Sequence, residues 1–169
     1  MQETYMMIKP DGFEHREAIY KFLKEKGLIV KNYKEVKTNM EVMKLLLSHY
    51  ETVIDEKGKD FDFVGRLFNS FYFGDFNIVP MHIQYDGEED IIEYTRRLVG
   101  KTNPQAAAEG TIRHMFSNDN YDLAGIDHRL VNNVIHASDS NESAKKELGI
   151  WKDYIDYFDT EFIEKVIML

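Results

Sequence analysis

The chain has 169 residues, 43% of them hydrophobic, and no cysteine. That length favours one compact domain with its own core, and the missing thiols exclude disulfide frameworks, thiolate zinc sites and cysteine nucleophiles. A formal net charge of -9 argues against broad binding to nucleic acid, whose phosphate backbone is met by basic surfaces. It does not forbid a small phosphate ligand held by a local cluster drawn from Lys9, Arg96, Arg97, Arg113 and Arg129.

In chain order, Glu3 to Lys9 is extended in character and stops at Pro10-Asp11-Gly12, a turn signal because Pro fixes its φ and Gly tolerates unusual ones. Ile19, Phe22 and Leu23 recur at helical spacing between Glu17 and Lys26, and Gly27 is a natural stop. Leu28 to Val36 reads as a second strand. Met40 to Tyr50 reads as an amphipathic helix capped by Asn39, with Val42, Met43, Leu46 and Leu47 on its apolar stripe. Ile54 to Asp62 is polar and predicts an exposed loop before a helical stretch through Phe63, Leu67 and Phe71.

Asn77 to Tyr85 alternates as a strand and closes at Asp86-Gly87, Glu89 to Leu98 predicts a helix, and Gly100 to Gly110 an irregular segment. Ser117 to Asp127 predicts a loop, Val131 to Ala137 a short buried strand, Asn141 to Leu148 a helix and Thr160 to Met168 a final helix. Without the extra helical pieces the order is strand, helix, strand, strand, helix, strand, which suits an α+β ferredoxin-like sheet with helices on its faces. No stretch approaches the roughly 20 apolar residues of a membrane span. Met1 to Lys9 lacks the layout of a secretory signal, so a cytoplasmic protein is expected.

Three segments carry the chemistry: Ile8-Lys9-Pro10-Asp11-Gly12, then Thr102-Asn103-Pro104 with Gly110-Thr111-Ile112-Arg113, then Asn133-Val134-Ile135-His136-Ala137-Ser138-Asp139-Ser140. His136 lies where an apolar strand emerges into a polar turn. Neutral imidazole is a nucleophile near neutral pH and carries a phosphoryl group without a base to activate it. Glu147, in the following helix, is placed to accept a proton from one ring nitrogen and present the other. An isolated histidine is more often a satisfied core residue, and that reading is kept for His15, His49, His82, His114 and His128.

Together the segments resemble the signature of nucleoside diphosphate kinases, in order and from Tyr5 to about Trp151. The resemblance implies a single such domain over 1–169 and a ping-pong transfer of the terminal phosphate of a nucleoside triphosphate to a diphosphate through phosphohistidine at His136. It implies that Lys9 and Arg113 hold the transferring group, Arg96 and Thr102 the distal phosphates, and Asn133 the sugar and phosphate arm, with Tyr50 ordering the site and Glu147 orienting the histidine. Asn133 is out of phase with His136 on a straight strand, so a kink or strand end is required. Phe63 with Leu67 matches the base-stacking pair, Phe61 is the alternative platform, and an aromatic stripe also suits a core.

Mg²⁺ is implied as a cofactor bridging nucleotide phosphates rather than caged by protein, and Asp139 either reaches it through water or caps the helix near Ser140. A dimer-based tetramer or hexamer is implied as well. The chain departs from the family at Glu109, at His114-Met115-Phe116, at Ala137, and in enlarged segments at 52–61 and 117–132. A nucleotide-binding module with weakened catalysis is therefore the alternative reading.

Overall fold

The structure, a computed structural model, describes residues 1–158. The helix expected over Thr160 to Met168 lies outside them. The elements are β1 (Gln2–Ile8), α1 (Arg16–Glu25), β2 (Leu28–Tyr33), β3 (Val36–Lys37), α2 (Met40–His49), α3 (Glu51–Lys57), α4 (Phe63–Phe71), β4 (Asn77–Tyr85), α5 (Ile91–Val99), α6 (Ile112–Phe116), α7 (Tyr121–Ile126), β5 (Ile135–Ala137), α8 (Asn141–Ile150) and α9 (Lys152–Ile155). Tight 3-10 turns occupy Pro10–His15 and Pro104–Ala106.

The sheet runs β2-β4-β1-β5 with all neighbours antiparallel, and β3 pairs with the far end of β4. This is the ferredoxin-like order the sequence predicts. Alternation along β1 sends Met6 and Ile8 to one face and Tyr5 and Met7 to the other. On the first face Ile19 and Leu23 of α1 and Ile91, Ile92 and Val99 of α5 close the core, and on the second Val42, Met43 and Leu46 of α2, Leu67 of α4 and Leu148 of α8 do so. Caps set the helix starts: Asn39 accepts from the Val42 amide at 2.9 Å and Asp90 from the Glu93 amide at 3.1 Å.

Four elements differ from expectation. The strand expected from Leu28 to Val36 is split, because a register shift between Val30 and Asn32 bends it away from β4 before β3 resumes pairing. Half of the loop expected from Ile54 to Asp62 is α3, which follows α2 through Tyr50, packs Val53 and Ile54 on the second core and stops at Gly58 with φ +75°. The polar run from Ser117 contains α7, started by Asn120 accepting from the Leu123 amide at 3.0 Å. The last strand is shorter than Val131 to Ala137, for a reason that bears on the site.

The enlarged 117–132 segment has its own internal fastening. Asp119 accepts from Arg129 at 2.6 and 3.1 Å and from the Asn132 amide at 2.7 Å. Arg129, one of the candidate cluster cations, is thus ion-paired and mostly covered. Arg97 is paired with Glu89 on the surface. The departures His114 and Met115 point outward from α6.

Candidate active site

β5 begins late because the backbone turns just before it. The Ile135 amide donates to the Asn133 carbonyl at 2.8 Å across Val134, whose φ is +76°. That is a γ-turn in a strained region for a β-branched residue, and such strain persists only where neighbours enforce it. The Lys9-to-Gly12 segment does the enforcing. The Lys9 amide donates to the Val134 carbonyl at 2.8 Å, and Asp11 accepts from the Val134 amide at 2.9 Å. Gly12 lies so close that a Cβ there would stand 2.4 Å from the Val134 carbonyl oxygen. This turn breaks the strand between Asn133 and His136, the kink that their out-of-phase spacing requires.

Immediately after it, His136 pairs with Met7 across the ladder and faces the second core, where its ring lies 4.5 Å from His49, 6.1 Å from Tyr5 and 6.2 Å from Tyr50. Its Nε2 makes a short hydrogen bond to Glu147 Oε1, and Ser138 Oγ lies 3.0 Å from the same oxygen. A carboxylate at Nε2 puts the ring proton there and leaves the Nδ1 lone pair for an electrophile. Burial, reinforced by Arg113 and Lys9, lowers the His136 pKa to about 3, so the ring is neutral at pH 7. Burial raises Glu147 above the usual carboxylate range, with His49 and Ser138 opposing.

The cations gather on the other side of the turn. Lys9 Nζ donates to Val131 O at 3.1 Å and Asn133 Oδ1 at 2.8 Å. Arg113 donates to the carbonyls of Gly100, Asn133 and Ile135 at 2.9, 3.1 and 2.8 Å. Guanidinium has five N–H donors and ammonium three. Among the described residues these bonds use three and two of them, leaving two donors on Arg113 and one on Lys9. Burial lowers Lys9 to about 8 and Arg113 to about 10. Asn133 Nδ2 donates to Thr102 O at 2.9 Å, and Thr102 lines a cleft of about 780 Å³ with Arg96, Lys101, Asn103 and Thr111.

Other expected positions fall as follows. Tyr50 joins α2 to α3, its hydroxyl held in the neutral form by burial and Glu147. Phe63 is only 7% exposed against Tyr50, and Leu67 is fully buried. Leu67 lies on the inward side of α4, in the same core cluster as Phe63. Phe61 is half-exposed with the Arg66 guanidinium 4.4 Å over its ring. Ser140 itself caps α8, accepting from the Ser143 amide at 3.0 Å, and Asp139 stands just before that cap, bonded to the Ser143 and Ser140 side chains. Ala137 sits in ordinary paired strand. His49, left aside in the sequence, proves to be part of the cluster: its side chain is 2% exposed and its Nε2 is 3.6 Å from Glu147 Oε1.

The family profile described as nucleoside diphosphate kinase matches residues 2–155. A nucleoside diphosphate kinase of Saccharolobus islandicus is 35% identical over 159 residues, covering 92% of this chain and 98% of that protein. One of Exiguobacterium sibiricum is 32% identical over 153 residues, covering 89% and 94%. Among solved structures, an NDP kinase from Pyrobaculum aerophilum superposes with a TM-score of 0.69 at 28% identity, covering 91% of this chain and 98% of that one. A nucleoside-diphosphate kinase from Borrelia burgdorferi, solved with vanadate and ADP, shares the fold with a TM-score of 0.75 at 24% identity, covering 94% and 92%. With a matching profile over nearly its whole length and relatives above 30% identity, the chain belongs to the nucleoside diphosphate kinase family.

Proposed function

We propose that this one domain moves the terminal phosphate of a nucleoside triphosphate onto Nδ1 of His136 and from there to a nucleoside diphosphate. The observation that carries the reading is the pairing of His136 Nε2 with Glu147 in a buried site flanked by Lys9 and Arg113. Nδ1 attacks the terminal phosphorus, the bond to the bridging oxygen breaks, and the diphosphate leaves. In the second half an oxygen of the acceptor's terminal phosphate attacks the phosphohistidine and restores neutral His136. Most of the barrier falls through positioning and charge neutralisation. The spare donors of Lys9 and Arg113 meet the transferring group, Arg96 and Thr102 the distal phosphates, and Asn133 the sugar. Tyr50 orders the site, and a base lies against the aromatic pair Phe61 and Phe63.

Mg²⁺ would arrive on the nucleotide and would supply charge neutralisation to its phosphates. Among the described residues the group close enough to hold an ion is His49, His136 and Glu147, a buried nitrogen-rich set unlike the oxygen cage Mg²⁺ requires. Homo-oligomerisation is supported by β2, an edge strand carrying Ile29 and Tyr33 at 43% and 51% exposure, since such an edge pairs readily with another copy. A cytoplasmic setting accords with the absence of cysteine and, among the described residues, of any helix long and apolar enough to cross a membrane.

Intact-protein mass after incubation with ATP and Mg²⁺ tests the proposal. The protein should gain one phosphoryl group, lose it to added nucleoside diphosphate with triphosphate appearing, and gain none when EDTA is present. Nucleotide binding without the mass gain would replace the kinase with the weakened binding module.

The pH dependence of that phosphorylation follows from the site. The reactive form of His136 is neutral, and its lowered pKa keeps it so well below the ordinary 6.5. Lys9 must be charged, and it discharges near 8. The single-turnover rate should therefore show no loss centred on pH 6.5 and should fall as pH rises past about 8. A midpoint near 6.5 in stopped-flow quench data would contradict the burial argument.

A further inference from the structure

Behind the nucleophile, the ring of His49 stands edge-on to that of His136, 4.5 Å away at 75°. Trp151 Nε1 donates to His49 Nδ1 at 3.1 Å, and because an indole N–H can only donate, His49 Nδ1 must be the unprotonated nitrogen. Its proton is then on Nε2, which among the described residues has no hydrogen-bond partner and lies 3.6 Å from Glu147 Oε1. Tyr5, stacked on Trp151 at 6.0 Å, and the end of α2 hold the ring in place. Burial keeps His49 neutral, with a pKa near 3.

The trio His49, His136 and Glu147 has ligand atoms within 4.8 Å of one another. The Trp151 bond removes it as a metal site, since a metal at His49 Nε2 would force a proton onto Nδ1, against the indole N–H. The same bond prevents His49 from competing with His136 for phosphate, because neither of its nitrogens offers a lone pair to the cleft.

We propose that His49 is a positioning residue for His136: Trp151 fixes its tautomer, and its Nε2–H, aimed at the buried Glu147, holds that carboxylate ionised on His136 Nε2 so that Nδ1 stays free to react. Glu147 thus collects His136, Ser138 and His49 around one oxygen. Hydrogen bonds of this kind are long in resting sites and tighten as the reaction proceeds. The proposal rests on His136 being the nucleophile, and the test separates the two.

The experiment compares His49→Asn and His49→Gln. Asn keeps the acceptor that Trp151 needs but cannot reach Glu147, whereas Gln places an amide N–H where Nε2–H stood. In nucleotide-free protein, ¹⁵N NMR should show His136 largely protonated at Nε2 in wild type and His49→Gln, with a visible Nδ1–H population in His49→Asn. The rate of phosphorylation by ATP and Mg²⁺ should fall about tenfold in His49→Asn with nucleotide affinity unchanged, and recover to within about threefold in His49→Gln. Equal behaviour of Asn and wild type in both readouts would reduce His49 to packing and overturn the proposal. Wild type that shows the tautomer yet never takes up phosphate would overturn the nucleophile assignment instead.

Discussion

His136→Ala is expected to take up no phosphoryl group and to lose turnover by roughly 10⁴- to 10⁶-fold, the range seen when a covalent nucleophile is deleted. The size of the loss depends on whether a neighbour can substitute. His49 is the nearest imidazole, but its Nδ1 accepts from Trp151 and its Nε2 carries the proton. Tyr5 is buried and Tyr50 half-buried, and both hydroxyls are held firmly neutral, so neither supplies a phenolate. The chain has no cysteine to recruit. The variant should still bind nucleotide, because Lys9, Arg113 and Asn133 are held by carbonyls and by one another rather than by His136. A coupled assay with isothermal titration checks both halves, and residual turnover above about 1% of wild type would place the nucleophile elsewhere.

Gly12→Ala is expected to lower stability by about 1–3 kcal/mol and phosphorylation by about a hundredfold. The backbone at Gly12 would accept alanine, since its φ is not positive. What it lacks is room: the new methyl would stand 2.4 Å from Val134 O, 2.8 Å from Val134 Cγ1 and 3.1 Å from Ile8 Cγ2. Val134 cannot retreat without loosening its bonds to the Lys9 amide and to Asp11, which keep its φ positive. Relaxation of that turn shifts Asn133 and His136 on either side of it, and displacement of reacting groups by an ångström is costly. Thermal unfolding with single-turnover labelling decides the matter. Wild-type melting and labelling would mean that the close approach carries no consequence.

What could be read from the sequence was what local patterning controls. Apolar spacing and the stops at Gly27 and Asp86-Gly87 marked α1 and β4 because periodicity and turn chemistry are local. α3 and α7 were missed because neither has a long apolar stripe, and each depends on a capping or continuing neighbour. The out-of-phase spacing of Asn133 and His136 did require a kink, but not that Val134 would form it. His49 follows Val42 and Leu46 along the buried stripe of α2, which signals burial. No local pattern could name its partners, since Trp151 lies 102 residues away.

The same distances govern when the site comes into being. Lys9 reaches Val131 and Asn133 over separations of 122 and 124 residues, and Asp11 reaches Val134 over 123. The strained turn before His136 has only the Ile135-to-Asn133 hydrogen bond as local support, so it is held only once the first strand has met the segment from Val131 to Val134. Closing so long a loop comes late in folding. During synthesis, the arrangement around His136 consequently cannot assemble until the stretch from Val131 to Glu147 has been made, and chains that stop short of it lack the pairing of His136 with Glu147.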